Sequence, residues 1–367
     1  MNATKNEILE WLESEESKRL LPGAILYGVL AFFGLAGNSL VIHVYRKSYQ
    51  ESNFSLFIIG VAAIDLFGCV WSIPADIVLL FEQYTFNKVW VCKVARFSTT
   101  FGTTSSAFVL FCISVDRYRK VCKPFDSQIS ITQAKLLYGL SLTIGLFVSW
   151  PTFFVYGKKT FMVYEFERNV TASECSTVDE MTKSSIPFIY LAFYGVLCVS
   201  ESLTVLILYC LIGFKVKKTG KALHRYQSKK QKADGKCEDE NRNDELNMNG
   251  QRNGLPKKIN HLSIISGSNK RTYYSEGKPK PGTRSRNTTF VMFLVSLSFN
   301  LSYLPHITIM VLRGLFPEYI ESLSLEGRAA YKIIIRSFFL NCAMNPLIYA
   351  FFSPSFRLKV IEILRRN

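Results

Sequence analysis

Seven apolar runs, each close to the length that crosses a bilayer, constrain this chain more than any other feature. They occupy residues 22–45, 54–81, 92–121, 134–156, 187–214, 288–312 and 331–352, with polar segments between them. A helix rises ~1.5 Å per residue, so about 20 residues cover a hydrocarbon core of about 30 Å. Lipid offers backbone N–H and C=O groups no partner, so runs of this kind must satisfy themselves as helices. The expected fold is all-α: an integral membrane seven-transmembrane helix bundle. The expected division is an extracellular N-terminal segment 1–21, helices one to five with their loops over 22–214, a polar loop 215–286, helices six and seven over 287–353, and a tail 354–367.

Charge sets the expected orientation. Between Lys215 and Arg286 there are 19 Lys/Arg and 7 Asp/Glu, so 19 − 7 = +12 of the chain's +16 lies in one loop. Basic loops stay in the cytoplasm, and Arg46-Lys47 and Arg119-Lys120 with Lys123 agree with that loop, which places the N-terminus outside at the plasma membrane. No signal peptide is expected, because residues 1–21 are acidic and lack an apolar segment, leaving the first span to target the chain. The basic excess sits beside membrane ends, where anionic headgroups of the lipid bilayer meet it, which argues against nucleic acid as a partner. The loop is rich in Lys, Asn, Gly, Ser and Glu, so its burial cannot offset ordering entropy and it is expected to be disordered, with its flanks extending helices five and six.

The outside assignment has consequences in the same sequence. The sequons at Asn2 and Asn169 fall on the outer side, as glycosylation requires, whereas that at Asn287 falls inside and is expected to stay unmodified. Of nine cysteines, Cys92 and Cys175 are the two in oxidising space and available to pair, and the rest are expected to be reduced.

Polar groups inside spans are costly and therefore functional candidates. Asp65 stands mid-span in GVAAIDLFG with no basic residue within helical reach. Asn38, Ser106, Asn341 and Asn345 lie at comparable depth. One reading is an interhelical hydrogen-bond network. The other is a site for sodium at Asp65, Ser106, Asn341 and Asn345, since one carboxylate with neutral oxygens suits a hard cation. No other cofactor is expected.

Gly37-Asn38 in span one, AAIDLFG in span two, Cys92 followed by Asp116-Arg117-Tyr118, and Asn345-Pro346-Leu347-Ile348-Tyr349 in span seven, in this order, resemble rhodopsin-like (class A) G-protein-coupled receptors. The resemblance covers about 22–366 outside the long loop. It implies that Asp116 holds Arg117 at the inactive cytoplasmic end. Activation then releases it, helix six swings outward, and a heterotrimeric G protein binds in the cleft. Tyr118, Tyr209, Asn345, Pro346 and Tyr349 match the rest of the switch. Ser353 to Arg357 would start an amphipathic eighth helix with Phe356, Leu358, Ile361 and Leu364 towards lipid.

Several positions depart from the family pattern. Span six reads Ser302-Tyr303-Leu304-Pro305 where Cys-Trp-x-Pro is usual, making Tyr303 a smaller, hydroxylated toggle. Glu201 stands where span five usually has proline, and span four lacks its mid-helix tryptophan. Ser285 and Arg286 at the foot of helix six offer no second acid to Arg117. Thr99 replaces the aspartate of monoamine receptors, and Phe339 the lysine of opsins, so neither ligand is expected.

The expected ligand cavity has Asp76, Arg96, Arg313, Lys332 and Arg336 as charged residues, with Thr99, Thr103, Tyr303, His306, Met310 and Phe339 below. Its basic balance favours an anionic group or a peptide carboxylate. Glu165-Phe166-Glu167-Arg168 would turn a hairpin lid suited to a peptide. The expected activity is therefore a cell-surface receptor for a neuropeptide, with a lipid or small organic anion as the alternative ligand.

A transporter would show inverted repeats and paired helix breaks, and a hydrolase convergent acids or a Ser/His pair. Neither pattern is present, and His43, His224, His261 and His306 are scattered. No enzyme activity is expected. Because Ser355 is the only hydroxyl residue after Pro354, phosphorylation that recruits arrestin is expected in the long loop, on Ser263, Ser266, Ser268, Thr272 and Ser275.

Overall fold

A computed structural model describes residues 4–48, 52–249, 281–316 and 322–366. Among them seven helices are long and apolar enough to span a membrane: Lys5–Lys47, Asn53–Phe81, Val89–Cys122, Ile131–Val155, Ile186–Ala222, Asn287–Arg313 and Leu325–Phe352. They are called here the first to seventh spans. The third is central, packing on the second, fourth, fifth and sixth. Large apolar side chains such as Phe32, Phe147, Phe188 and Phe214 remain exposed on the outside, where a bilayer would solvate them.

Local chemistry sets the helix ends. Ser52 caps the second span by accepting from the Ser55 amide, and Ser130 opens the fourth with a capping box to Gln133. Pro74 has no N–H to donate, and just before it Gly68–Ser72 widens into a π turn. The seventh span is interrupted by a 3₁₀ turn at Ser337–Phe339. Gly37 permits the first span to approach the seventh, because a Cβ there would stand 2.6 Å from Pro346 Cβ.

Three expectations are corrected. Residues expected to form a separate N-terminal segment are helical from Lys5, continuous with the first span through Pro22. Glu, Leu and Lys dominate this stretch, and Thr4 and Glu7 bond reciprocally at its start. In the long loop the expected helical flanks are present but the fifth runs further than expected: the fifth helix is Ile186–Asn249, in place of disorder beyond about residue 226, and the sixth begins at Pro281. Residues 215–249 contain no proline and hold eight lysines, a straight-chain residue that suits a helix already nucleated by the membrane span before it. Residues 250–280, with all five hydroxyls named above, lie outside the described residues.

The third correction concerns the eighth helix, Pro354–Arg366. Leu358, Ile361 and Leu364 are exposed, but Phe356 is buried, stacked on Tyr45 at 6.1 Å and tilted against Tyr349 at 6.1 Å. It anchors this helix to the bundle.

After the fourth span, β1 (Tyr156–Glu165) pairs antiparallel with β2 (Arg168–Thr177), Glu165 opposite Arg168. Phe166 and Glu167 form the tip in the left-handed region, at φ 49° and 58°, a conformation that suits Asn-Gly better than these side chains. Phe166 meets Trp11 edge-on at 5.2 Å, a contact that holds the tip against the N-terminal helix. The Cys92–Cys175 disulfide, Cα–Cα 5.6 Å, ties β2 to the head of the third span.

Candidate functional site

The hairpin and the ends of the spans beside it line a cavity of about 510 Å³. Of the residues expected to line it, Arg96, Thr99, Thr103, Tyr303, His306, Met310, Arg313, Lys332 and Arg336 do so. Asp76 and Phe339 do not. Asp76 is buried behind the wall, accepting from Arg336 Nε at 3.1 Å with Arg96 Nη1 at 3.8 Å, so it orients two cations that face the cavity. Phe339 is buried beneath the floor, 4.5 Å from the Phe338 ring and 5.8 Å from Tyr27. The 3₁₀ turn gives the cavity Phe338 in its place, a rotation that helical periodicity in the sequence cannot reveal.

Sequence reasoning missed Lys159 and Glu174 on the hairpin, Arg328 at the start of the seventh span, and Tyr84, Tyr190 and Tyr194. Among the described residues the lining thus holds six Lys/Arg (Arg96, Lys159, Arg313, Arg328, Lys332, Arg336) against one acid, Glu174. Two acids outside the lining moderate that charge. Glu16 of the N-terminal helix, 4% exposed, bonds Lys332 Nζ at 2.7 Å with Arg19 at 3.8 Å. Asp76 takes the two arginines described above.

Glu13, one helical turn before Glu16, accepts from the Gln83, Tyr84 and Thr85 amides at 2.6, 2.9 and 2.8 Å and from the Thr85 hydroxyl at 2.8 Å. At the hairpin's base Asp179 accepts from the Thr160 amide at 2.9 Å and its hydroxyl at 2.8 Å, and these bonds hold its carboxyl below the usual carboxylate range.

The floor couples spans. Tyr303 donates its hydroxyl to Thr103 Oγ1, which donates to the Thr99 carbonyl at 2.7 Å. Tyr303 stacks on Phe299 at 4.5 Å, and His306 Nδ1 lies 2.6 Å from the Ile335 carbonyl. Thr99 Oγ1 is buried without a protein partner, leaving a hydroxyl for a ligand.

Beneath the floor, a void of about 30 Å³, enough to hold water, is bordered by Asp65, Ser106, Asn341 and Phe339. Asp65 accepts from Asn341 Nδ2 at 3.4 Å and Asn345 Nδ2 at 2.7 Å. The Oδ1 atoms of both asparagines are buried and unpartnered. Asn38 instead donates to the Gly34 and Cys342 carbonyls, at 2.9 and 2.7 Å, bridging the first and seventh spans.

At the far end Asp116 grips Arg117 through Nε at 3.1 Å and Nη2 at 2.5 Å, with both side chains buried. Asn53 Nδ2 at 3.0 Å and Lys120 Nζ at 2.9 Å complete the carboxylate's shell, two partners the sequence motif did not point to. Tyr118 is partly buried beside the core. Tyr209 accepts from Ser296 Oγ at 3.4 Å and packs on Phe293, whereas Tyr349 packs on Tyr45 at 6.3 Å. Pro346, next to Asn345, is the residue Gly37 accommodates.

Asn169 is exposed on β2, and Asn2 lies outside the described residues.

A buried Asp-Arg latch at one end of seven spans, with a disulfide-tied hairpin over a deep cavity at the other, defines a seven-helix receptor. The sequence model of the 7 transmembrane receptor (rhodopsin family) matches residues 37–349, and the chain belongs to that family. It is a receptor, not an enzyme. The cholecystokinin receptor type A of Homo sapiens is 25% identical, over 96% of this chain and 83% of its own length. Nematocin receptor 2 of Caenorhabditis elegans is 25% identical over 91% and 77%, and the neuropeptide S receptor of Rattus norvegicus 29% over 36% of each.

Proposed function

We propose that this receptor sits in the plasma membrane with its N-terminus outside, binds a peptide that presents a carboxylate, and activates heterotrimeric G proteins. The observation that carries the ligand class is that, among the described residues, the cavity is lined by six cations against one acid and roofed by a hairpin. Relatives named for cholecystokinin, neuropeptide S and nematocin support a peptide. Arg336 and Arg96, preset by Asp76, form a donor fork for a carboxylate. Lys332 becomes available when an incoming acid displaces Glu16.

A ligand seated on Thr99 also touches the Tyr303–Thr103 bond, which joins the third and sixth spans. Stabilising a different arrangement there biases helix six, and with it the Asp116–Arg117 latch, through differential affinity for two states. Asp65, Ser106 and the unpartnered Asn341 oxygen around the void, with Asn345 bonded to Asp65, suit a sodium ion that favours the latched state. Arrestin is proposed as a second intracellular partner, recruited by phosphates on the long loop.

The test is guanine-nucleotide exchange in added G protein, driven by a peptide library against the chain in nanodiscs. Active peptides should lose potency when amidated at the C-terminus and on Arg336→Gln. Potency unaffected by both changes refutes carboxylate recognition.

A further inference from the structure

Glu201 is unexplained by the switch or by the cavity. It lies 15 residues into a fifth span that begins at Ile186, so about 22 Å along the helix and near mid-membrane. It is 8% exposed, and its Oε2 is buried with no hydrogen-bond partner among the described residues. Here the third and fifth spans part to leave a cleft of about 360 Å³, separate from the cavity under the hairpin. Phe108, Phe111, Phe193, Val196 and Leu197 form its apolar walls, and Ser200, Glu201 and Thr204 its polar edge. Phe193 and Val196 are among the exposed side chains of the bundle's outer surface, so the cleft opens towards lipid.

The polar edge offers acceptors. Ser200 donates its hydroxyl to the Leu197 carbonyl at 3.0 Å and Thr204 to the Ser200 carbonyl at 2.7 Å, which leaves only lone pairs on either oxygen. With Glu201 this makes three acceptors at positions i, i+1 and i+4 of one helix. A carboxyl in hydrocarbon without a partner is costly. A primary ammonium has three donors and no acceptor, and its charge complements a carboxylate. Access from the membrane side requires that it arrive on an apolar chain.

We infer that the seam between the third and fifth spans is an intramembrane binding site for a long-chain primary amine dissolved in the bilayer, its ammonium held by Glu201, Ser200 and Thr204 and its chain lying along Phe108, Phe111 and Val196. Glu201 shares a buried stripe with Val205, Tyr209 and Ile212, so occupancy bears on the same helix that carries Tyr209 to the latch.

The full-length chain in phosphatidylcholine nanodiscs is irradiated with a diazirine-bearing octadecylamine, and adducts are mapped by mass spectrometry. Saturable labelling is expected in the segments holding 108–111 and 193–204, at least about tenfold above that by the matching octadecanoic acid or octadecanol, and reduced about tenfold by Glu201→Leu. Equal labelling by the three head groups, or undiminished labelling of folded Glu201→Leu, overturns the site. So does cross-linking of two receptor copies through this seam in place of amine adducts. Should Glu201→Leu fail to fold, Val196→Trp fills the cleft from the lipid side without touching the carboxyl. Undiminished labelling of that folded variant equally overturns the proposal.

Discussion

Removing the Glu13 carboxylate should free the N-terminal helix from the loop after the second span. One side chain there accepts three backbone amides and a hydroxyl at 2.6–2.9 Å. A hydrogen bond to a charged group contributes about 1.5–3 kcal/mol, but Thr85 is exposed and water replaces the bonds it loses. The part-buried Gln83 and Tyr84 amides dominate, and Glu13 is itself half-buried, so the net loss in Glu13→Ala is about 2 kcal/mol. Local opening should then rise about 30-fold, since about 1.4 kcal/mol is a factor of ten.

Hydrogen exchange by mass spectrometry, at fixed pH in nanodiscs, reads this directly in peptides covering 5–21 and 83–85. Glu10→Ala, on an exposed site of the same helix, is the control and should leave both peptides unchanged. A change under about threefold in folded Glu13→Ala refutes the docking argument. Acceleration of 83–85 alone would show instead that the helix is held by Ile8, Glu16 and Trp11 without Glu13.

Asp116→Asn weakens three donors' hold on one carboxylate and should raise basal nucleotide exchange about tenfold, given a loss of about 1.5 kcal/mol from the latched state; exchange at or below wild type with normal expression contradicts the latch. Cys92→Ser and Cys175→Ser should each cost ~2–5 kcal/mol of stability, and the double variant no more than either, which a melting series in detergent checks. Asp65→Asn should abolish any sodium-induced fall in agonist affinity, measured by radioligand competition in sodium against N-methylglucamine, and a retained sodium effect excludes the ion site. The depressed carboxyl of Asp179 stabilises the hairpin base at all pH values above the ordinary carboxylate range and loses that effect as pH falls through its lowered value. A distance label across the hairpin should therefore be unchanged from about pH 7 to 5 and relax only below about pH 4, and opening between about pH 7 and 5 would show another group in control.

The seven spans were legible because lipid imposes one rule on every backbone group, and a rule of that kind leaves a length and hydropathy signature in each segment separately. Asp116-Arg117 was legible only through the resemblance to the receptor family, whereas Cys92 and Cys175 stood out as the two cysteines expected in oxidising space. The hairpin was legible only as a lid turning at Glu165-Phe166-Glu167-Arg168, without its register. What the sequence could not decide depends on contacts between distant segments. Residues 5–21 read as a polar segment before the first span, and only Glu13 on the 83–85 amides and Glu16 on Lys332 show where they dock. Phe356 reads as lipid-facing on a helical wheel, yet the approach of Tyr45 and Tyr349 buries it. Phe339 and Phe338 exchange places because a 3₁₀ turn shifts the helix phase. Asp76 points behind the cavity because two arginines from the third and seventh spans meet there. Glu201 reads in sequence only as an acid in place of the family's usual proline, and it acquires surroundings where the third and fifth spans part beside it. Periodicity and composition are properties of one segment at a time, whereas the direction of a side chain and the partner of a charge are settled by packing between segments, which is where tertiary structure holds its own information.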